Sequence, residues 1–184
     1  MKDYLALFDL DGTLFDTNEV NFAAYRDALT PHGIELSHEF FVKECNGRKY
    51  TEFLPKLTSD WDVIEAVHKE KKNTYKLNLD KAKINVHLFE MIKSMQEKYH
   101  LAVVTTASRQ NTLDILNHFK VTDLFEFMIT QEDITKTKPD PQGFLLAMEH
   151  FGMDAAHTVI FEDSDVGAQA ARATGATVFL VNQM

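Results

Sequence analysis

The sequence predicts an α/β protein: a Rossmann-like parallel sheet core with a small α-helical cap domain inserted after the first strand. Two observations carry this. Short apolar runs alternate with amphipathic helical patterns at "YLALFDL" and again from about residue 100 onward, as expected for parallel strands covered on both faces. From about Asn18 to Asp80 the rhythm breaks, and helical patterns follow one another with no strand among them. The expected division is residues 1–15 plus 82–184 for the core and 16–81 for the inserted helices.

Tyr4–Leu10 is the first strand. The inserted region reads as helices over Asn18–Leu29, Ser37–Cys45, Arg48–Leu57 and Asp60–Leu77, with turns at Pro31–Gly33 and Asn46–Gly47. Pro55 falls inside the third helix and works against it. Trp61, Val63, Ile64 and Val67 read as the apolar core of this region. Leu101–Thr106 is the second strand, after which Ser108 caps a helix with Leu113, Leu116 and Phe119 on one face. Phe125–Thr130 precedes a helix that opens at Asp140-Pro141 and closes at Gly152, with Phe144, Leu145, Met148 and Phe151 as its stripe. Thr158–Phe161 leads through "EDSDVG" into a small-residue helix ended by Gly175, and Thr177–Val181 is the last strand.

The 184 residues are enough for one core domain carrying a smaller insertion. With 19 basic against 28 acidic residues, the net charge of −9 disfavours sequence-independent binding to nucleic acid or to an anionic membrane surface. The single cysteine, Cys45, allows no intrachain disulfide and fits a reducing compartment. Neither a signal-peptide pattern nor a membrane-length apolar run is present, so the expectation is a soluble, cytoplasmic protein. Nothing demands more than a monomer. The eight histidines show no metal-ligand spacing, and His68–Asn73 reads as a solvated helix face.

Open parallel sheets bind ligands beyond the carboxyl ends of their strands. Asp9 and Asp11 end the first strand, and Thr105 and Thr106 end the second. Lys138 lies in the loop after the third, and Glu162 and Asp163 end the fourth. Alternation along a strand points Asp9 and Asp11 to one side. Two carboxylates that close need a counter-charge, and a hard cation such as Mg²⁺ takes oxygen ligands of this kind. Asp163 completes a carboxylate cage with room for water and a phosphate oxygen. Gly12 allows the sharp exit and the close approach of a ligand. Thr13 can orient a carboxylate.

"DLDGT", "VVTTAS", "KTKPDP" and "VIFEDSDVG", in that order and each at a predicted strand end or its loop, resemble the motifs of the haloacid dehalogenase superfamily of hydrolases. The resemblance runs from residue 5 to about 181 and implies an aspartyl phosphoryl-transfer mechanism. It makes Asp9 the nucleophile and Asp11 the general acid and then base. Thr105 and the Thr106 amide would bind the phosphoryl group, and Lys138 would neutralise it. Asp163 would hold Mg²⁺ with Asp9 and the Asp11 carbonyl, with Glu162 in or next to that shell. The implied partner is a small phosphorylated metabolite.

Asp11 argues against the carbon–halogen chemistry of some members, which lack that second aspartate. The inserted helices resemble the cap of the subgroup with phosphoglycolate phosphatases and beta-phosphoglucomutases, and "EDS" leans towards its sugar-phosphate branch. Where the mutases place a histidine after the cap hinge, this chain has Asn21. A phosphosugar mutase and a non-catalytic metal- or phosphate-binding module are the alternatives to a Mg²⁺-dependent phosphatase. Arg48, Lys49 and Tyr50 lie where related proteins contact substrate, and a solvated helix start explains them equally well. Lys136 competes with Lys138, but the family lysine directly precedes the proline. Asp16 reads first as a hinge or helix-capping residue.

Overall fold

The structure is a computed structural model that describes residues 2–45 and 48–182, so the expected Asn46–Gly47 turn lies outside the described residues. In chain order the elements are β1 (Tyr4–Phe8), β2 (Phe15–Asp16), α1 (Asn18–Leu29), α2 (His38–Phe40), α3 (Tyr50–Phe53) and α4 (Trp61–Leu77). There follow β3 (Lys83–Ile84), α5 (Val86–Met95), β4 (Tyr99–Val104), α6 (Arg109–His118) and β5 (Phe127–Ile129). The chain ends with α7 (Gln142–Phe151), β6 (Thr158–Glu162), α8 (Asp165–Ala173) and β7 (Thr177–Leu180). Two compact units result: Met1–Asp16 with Lys83–Met184, and Thr17–Ala82.

The first unit is built on a parallel five-stranded sheet in the order β5-β4-β1-β6-β7. Its central strand is dry on both sides, with Leu5, Ala6, Leu7 and Phe8 fully buried. Alternation sends Leu5 and Leu7 to the face covered by Phe144, Ala147 and Met148 of α7 and Ala170 and Ala171 of α8. Phe8 stacks on Phe161 at 4.7 Å, and Phe161 on Phe179 at 5.2 Å, so one aromatic row crosses three neighbouring strands. Burial of Phe8 and Phe161 contributes roughly 1.5–3 kcal/mol each, while Phe179 at the edge stays half exposed. That row locks the register in which Phe8 faces Phe161, and the next residues, Asp9 and Glu162, emerge side by side at the strand ends.

Two helical stripes differ from expectation by a rotation of the helix. On α6 the buried residues are Asn111, Thr112, Ile115 and Leu116, while Leu113 and Phe119 are half-buried and Phe119 stacks on Phe15 at 5.0 Å. On α7 they are Gly143, Phe144, Ala147 and Met148, and Leu145 faces solvent. Small or polar residues fill the sheet-facing positions because the helix lies close to its strands: a Cβ at Gly143 would sit 3.0 Å from Val104 Cγ1. Helix α5 and the two-residue antiparallel pair β2–β3 were not anticipated.

In the second unit Ala28, Leu29, Leu36, Phe41, Phe53, Leu54, Ile64 and Val67 form a separate core. Thr74 Oγ1 of α4 donates to Ala24 O of α1 at 2.9 Å, joining the two long helices. Asp60 caps α4 by accepting from Asp62 N and Val63 N. The stretch around Pro55 is four α-helical residues and then a 3-10 turn, Leu54–Lys56, which tolerates proline near its start. The Ser37–Cys45 stretch likewise splits, into α2 and a π-helical turn, Phe41–Cys45. Trp61 is 56% exposed and does not belong to the core. It is the first residue of α4, ahead of Ile64 where burial begins. Among the described residues no helix is long and apolar enough to cross a membrane.

Candidate active site

The site assembles at the carboxyl ends of β1, β4 and β6, within the first unit. Asp9 follows β1 directly, and its N–H donates to Phe161 O at 3.0 Å, which prolongs the β1–β6 ladder by one residue. Lys138 comes from the loop before α7, where the Lys138–Pro139 peptide is cis. Its Nζ lies 2.5 Å from Asp9 Oδ1 and 2.5 Å from Glu162 Oε1, bridging the two strand ends. The stem passes over the Phe144 ring, with Nζ 5.0 Å from its centroid. Glu162 places its other oxygen, Oε2, on Ser164 N and Ser164 Oγ, both at 3.0 Å.

Asp163 accepts from Thr13 Oγ1 at 3.0 Å, so the loop after β1 and the loop after β6 are joined across the sheet. Gly12 explains how they come so close. Its φ is +92°, and a Cβ there would fall 2.2 Å from Asp163 Oδ2. Its N–H donates to Phe15 O at 2.7 Å. Thr105, buried at the end of β4, accepts from Ala107 N at 3.0 Å through a hydroxyl that keeps its own proton to donate. Thr106 is exposed beside it.

Electrostatically the cluster is short of positive charge. Asp9, Asp11, Glu162 and Asp163 occupy these strand ends, and Lys138 is the cation that bridges two of them. Burial pushes the Asp9 carboxyl well above the usual carboxylate range; Lys138 opposes the shift, and Glu162 and Asp11 add to it. Burial also works against the Lys138 ammonium, but Asp9 and Glu162 outweigh it and leave its pKa raised. A hard cation fits this all-oxygen donor set, and the absent side chain at Gly12 lets the Asp163 carboxylate come close to the loop after β1. Among the described residues no three acidic, histidine or cysteine side chains already converge on one point. The carboxylates at these strand ends that could hold such a cation are Asp9, Asp11, Glu162 and Asp163.

A family model described as haloacid dehalogenase-like hydrolase matches residues 6–181. The chain belongs to that family. As a haloacid dehalogenase-like hydrolase it is 28% identical to a phosphorylated carbohydrates phosphatase of Thermotoga maritima, over 92% of this chain and 80% of that one. It is also 28% identical to fructose-1-phosphate phosphatase YqaB of Escherichia coli, over 92% of this chain and 91% of the relative. A solved structure of a putative beta-phosphoglucomutase from Thermotoga maritima superposes with a TM-score of 0.79 at 27% identity, covering 100% of this chain and 87% of that one. Hydrolases of this family generally use a divalent metal.

Of the candidate residues in the first unit, Asp9, Lys138 and Glu162 are joined by direct contacts, and Asp163 is joined to Thr13. Lys136 instead faces Asp140 at 3.5 Å on the surface. Asp16 ends β2, 3.8 Å from Lys83 across the β2–β3 pair. In the second unit Arg48 reaches Glu44 at 3.3 Å, Lys49 is exposed, and Tyr50 stacks on His68 at 3.7 Å with its hydroxyl on Glu65. Three residues were overlooked. Asn85 ties down the loop after β1, and Ser164 and Gly167 surround Glu162. An asparagine ahead of "VHLFEMI" was a readable helix cap, whereas nothing local marks Gly167 as more than a small residue in a helix.

Proposed function

We propose that this phosphoric monoester hydrolase of the haloacid dehalogenase superfamily is a Mg²⁺-dependent phosphatase acting on a small soluble phosphomonoester, a sugar phosphate or similar metabolite. The observation that carries the reading is the Lys138 ammonium held 2.5 Å from Asp9 Oδ1 at the mouth of a parallel sheet. Asp9 is the nucleophile: its free oxygen attacks phosphorus and forms an aspartyl phosphate, while the leaving alcohol takes a proton from Asp11. Asp11, now a base, removes a proton from water that attacks the same phosphorus and frees Asp9. Splitting the displacement in two makes each step easier. Lys138 and the Thr105 hydroxyl offset charge on the phosphoryl oxygens. Mg²⁺, held by Asp9, Asp163 and the Asp11 carbonyl, would supply further charge neutralisation and in-line orientation.

The mutase alternative has a solved neighbour in its favour, but Asn21 speaks against it. Its Nδ2 donates to Thr17 O at 3.1 Å and Thr17 Oγ1 at 3.2 Å, and a carboxamide does not exchange protons with substrate as an imidazole does. The test is phosphate release from sugar phosphates, phosphoglycolate and inorganic pyrophosphate, with Mg²⁺ and with chelator. The reading expects Mg²⁺-dependent release from one class, abolished in Asp9→Asn. Isomerised sugar phosphate without phosphate release would replace it with the mutase.

A further inference from the structure

Glu162 is 1% exposed, and both of its oxygens are engaged: Oε1 with Lys138 Nζ, Oε2 with Ser164 N and Oγ. Ser164 Oγ also accepts from Gly167 N at 3.0 Å, so one hydroxyl caps α8 and fixes the carboxylate. Gly167 lies against that carboxylate. A Cβ built there would fall 1.8 Å from Glu162 Oε1 and 2.0 Å from its carboxyl carbon. Gly167 sits inside α8 and its φ lies outside the left-handed region, so no unusual backbone conformation calls for glycine. Glycine in a helix costs about 1 kcal/mol relative to alanine. What it provides here is space.

We propose that Gly167 and Ser164 are positioning residues of the phosphoryl-transfer site, and that Glu162 works through Lys138 rather than as a metal ligand. This rests on the phosphatase reading for its kinetic consequences. A lysine ammonium on a flexible four-carbon stem is placed poorly by one partner and well by two. Asp9 is one partner, and it changes charge and position when it is phosphorylated. Glu162 is the other, and it stays put because its Oε2 is held by Ser164 N and Oγ while Oε1 faces Lys138. A methyl group at position 167 cannot be accommodated unless that carboxylate moves. Lys138 then loses the contact that keeps it on Asp9.

The test compares Gly167→Ala, Ser164→Ala and Glu162→Gln with the wild type in two ways. The first is kcat and the apparent Mg²⁺ constant. The second, without substrate, is the side-chain ammonium spectrum of lysine-¹⁵N-labelled protein, with the Lys138 signal assigned by its loss in Lys138→Met. Gly167→Ala and Glu162→Gln are expected to lower kcat by about tenfold or more, with the Mg²⁺ constant within about twofold, and to broaden or erase the Lys138 signal. Ser164→Ala should fall between them and the wild type. An unchanged Lys138 signal in both Gly167→Ala and Glu162→Gln overturns the proposal. So does a Mg²⁺ constant raised about tenfold in Glu162→Gln with kcat restored at saturating metal, since Glu162 would then be a ligand. If Gly167→Ala fails to fold, Glu162→Gln, which keeps the side-chain volume, decides alone. The spectrum needs no turnover, so failure of the phosphatase reading leaves it interpretable.

Discussion

Asn85 Nδ2 donates to the Thr13 carbonyl at 3.2 Å, while Asn85 Oδ1 accepts from Leu88 N at 3.1 Å. One buried side chain caps α5 and holds the loop that carries Asp11 and Gly12. The Asn85 N–H adds a third tie, to Leu14 O at 3.0 Å. Removing the amide loses a cap and leaves the Thr13 carbonyl without this donor. Asn85→Ala is expected to lower stability by about 2 kcal/mol in urea unfolding. Asn85→Asp keeps the cap acceptor but turns a carboxylate to the carbonyl, so it should fare no better. A loss under about 0.5 kcal/mol in both would show that the loop does not depend on this tie.

Lys138→Met should lower kcat by about 10²–10³, the usual cost of removing one group that stabilises transition-state charge. Lys138→Arg should rescue little, because a planar guanidinium does not fit a gap defined by two carboxylates 2.5 Å from a single nitrogen. The methionine variant also leaves Asp9 and Glu162 buried beside each other. It should therefore unfold more easily at neutral pH, by about 3 kcal/mol, with a smaller deficit in acid. Near-normal kcat in Lys138→Arg would mean that position 138 supplies charge without geometry.

Metal addition offers a check that needs no substrate. A ligand at about 100 times its Kd stabilises a protein by about 2.7 kcal/mol. Mg²⁺ should raise the melting temperature of the wild type, chelator should reverse this, and Asp163→Asn should abolish the response. An equal Mg²⁺ response in Asp163→Asn would remove Asp163 from the metal site.

The acid limb of stability has identifiable contributors. Burial acts upward on the Asp133 carboxyl, but two hydrogen bonds from Thr130 and the Arg109 guanidinium outweigh it and leave its pKa lowered. Asp27 is lowered in the same way, with Asn78 and Arg26 prevailing over burial. A carboxyl with a depressed folded pKa binds fewer protons folded than unfolded. Its contribution is present above the unfolded value, about 4, and is lost as pH falls through the folded one. Asp133→Asn should cost about 1 kcal/mol at pH 7 and make the fall in stability below about pH 4 shallower. An unchanged acid limb in urea titrations would place the acid sensitivity elsewhere.

The strand ends were legible because the same residues carry two signals at once. In "LALFDLDGT" an apolar run stops at paired aspartates and a glycine, and burial and ligand chemistry agree on where the strand turns. Ser108 and Gly152 likewise announced helix ends through chemistry local to them. Long-range packing was not legible in this way. The sheet-facing side of α7 includes Gly143 because Val104 approaches it, and no spacing rule anticipates that contact. Gly167 is the sharper case, since its role depends on a carboxylate from the preceding strand that folding brings against it. The β2–β3 pair is only two residues long on each side, too short for any periodicity to appear.

The most direct test of the mechanism is to trap the covalent intermediate. Asp11→Asn, which lacks both the acid of the first step and the base of the second, would be mixed with 4-nitrophenyl phosphate, a substrate whose leaving group needs no proton, quenched in acid and reduced with borohydride. Borohydride converts an acyl phosphate to a primary alcohol, so the peptide carrying Asp9 should be recovered with homoserine in place of that aspartate. Recovery of unmodified Asp9, or reduction at another carboxylate while the wild type turns the substrate over, would contradict Asp9 as the nucleophile.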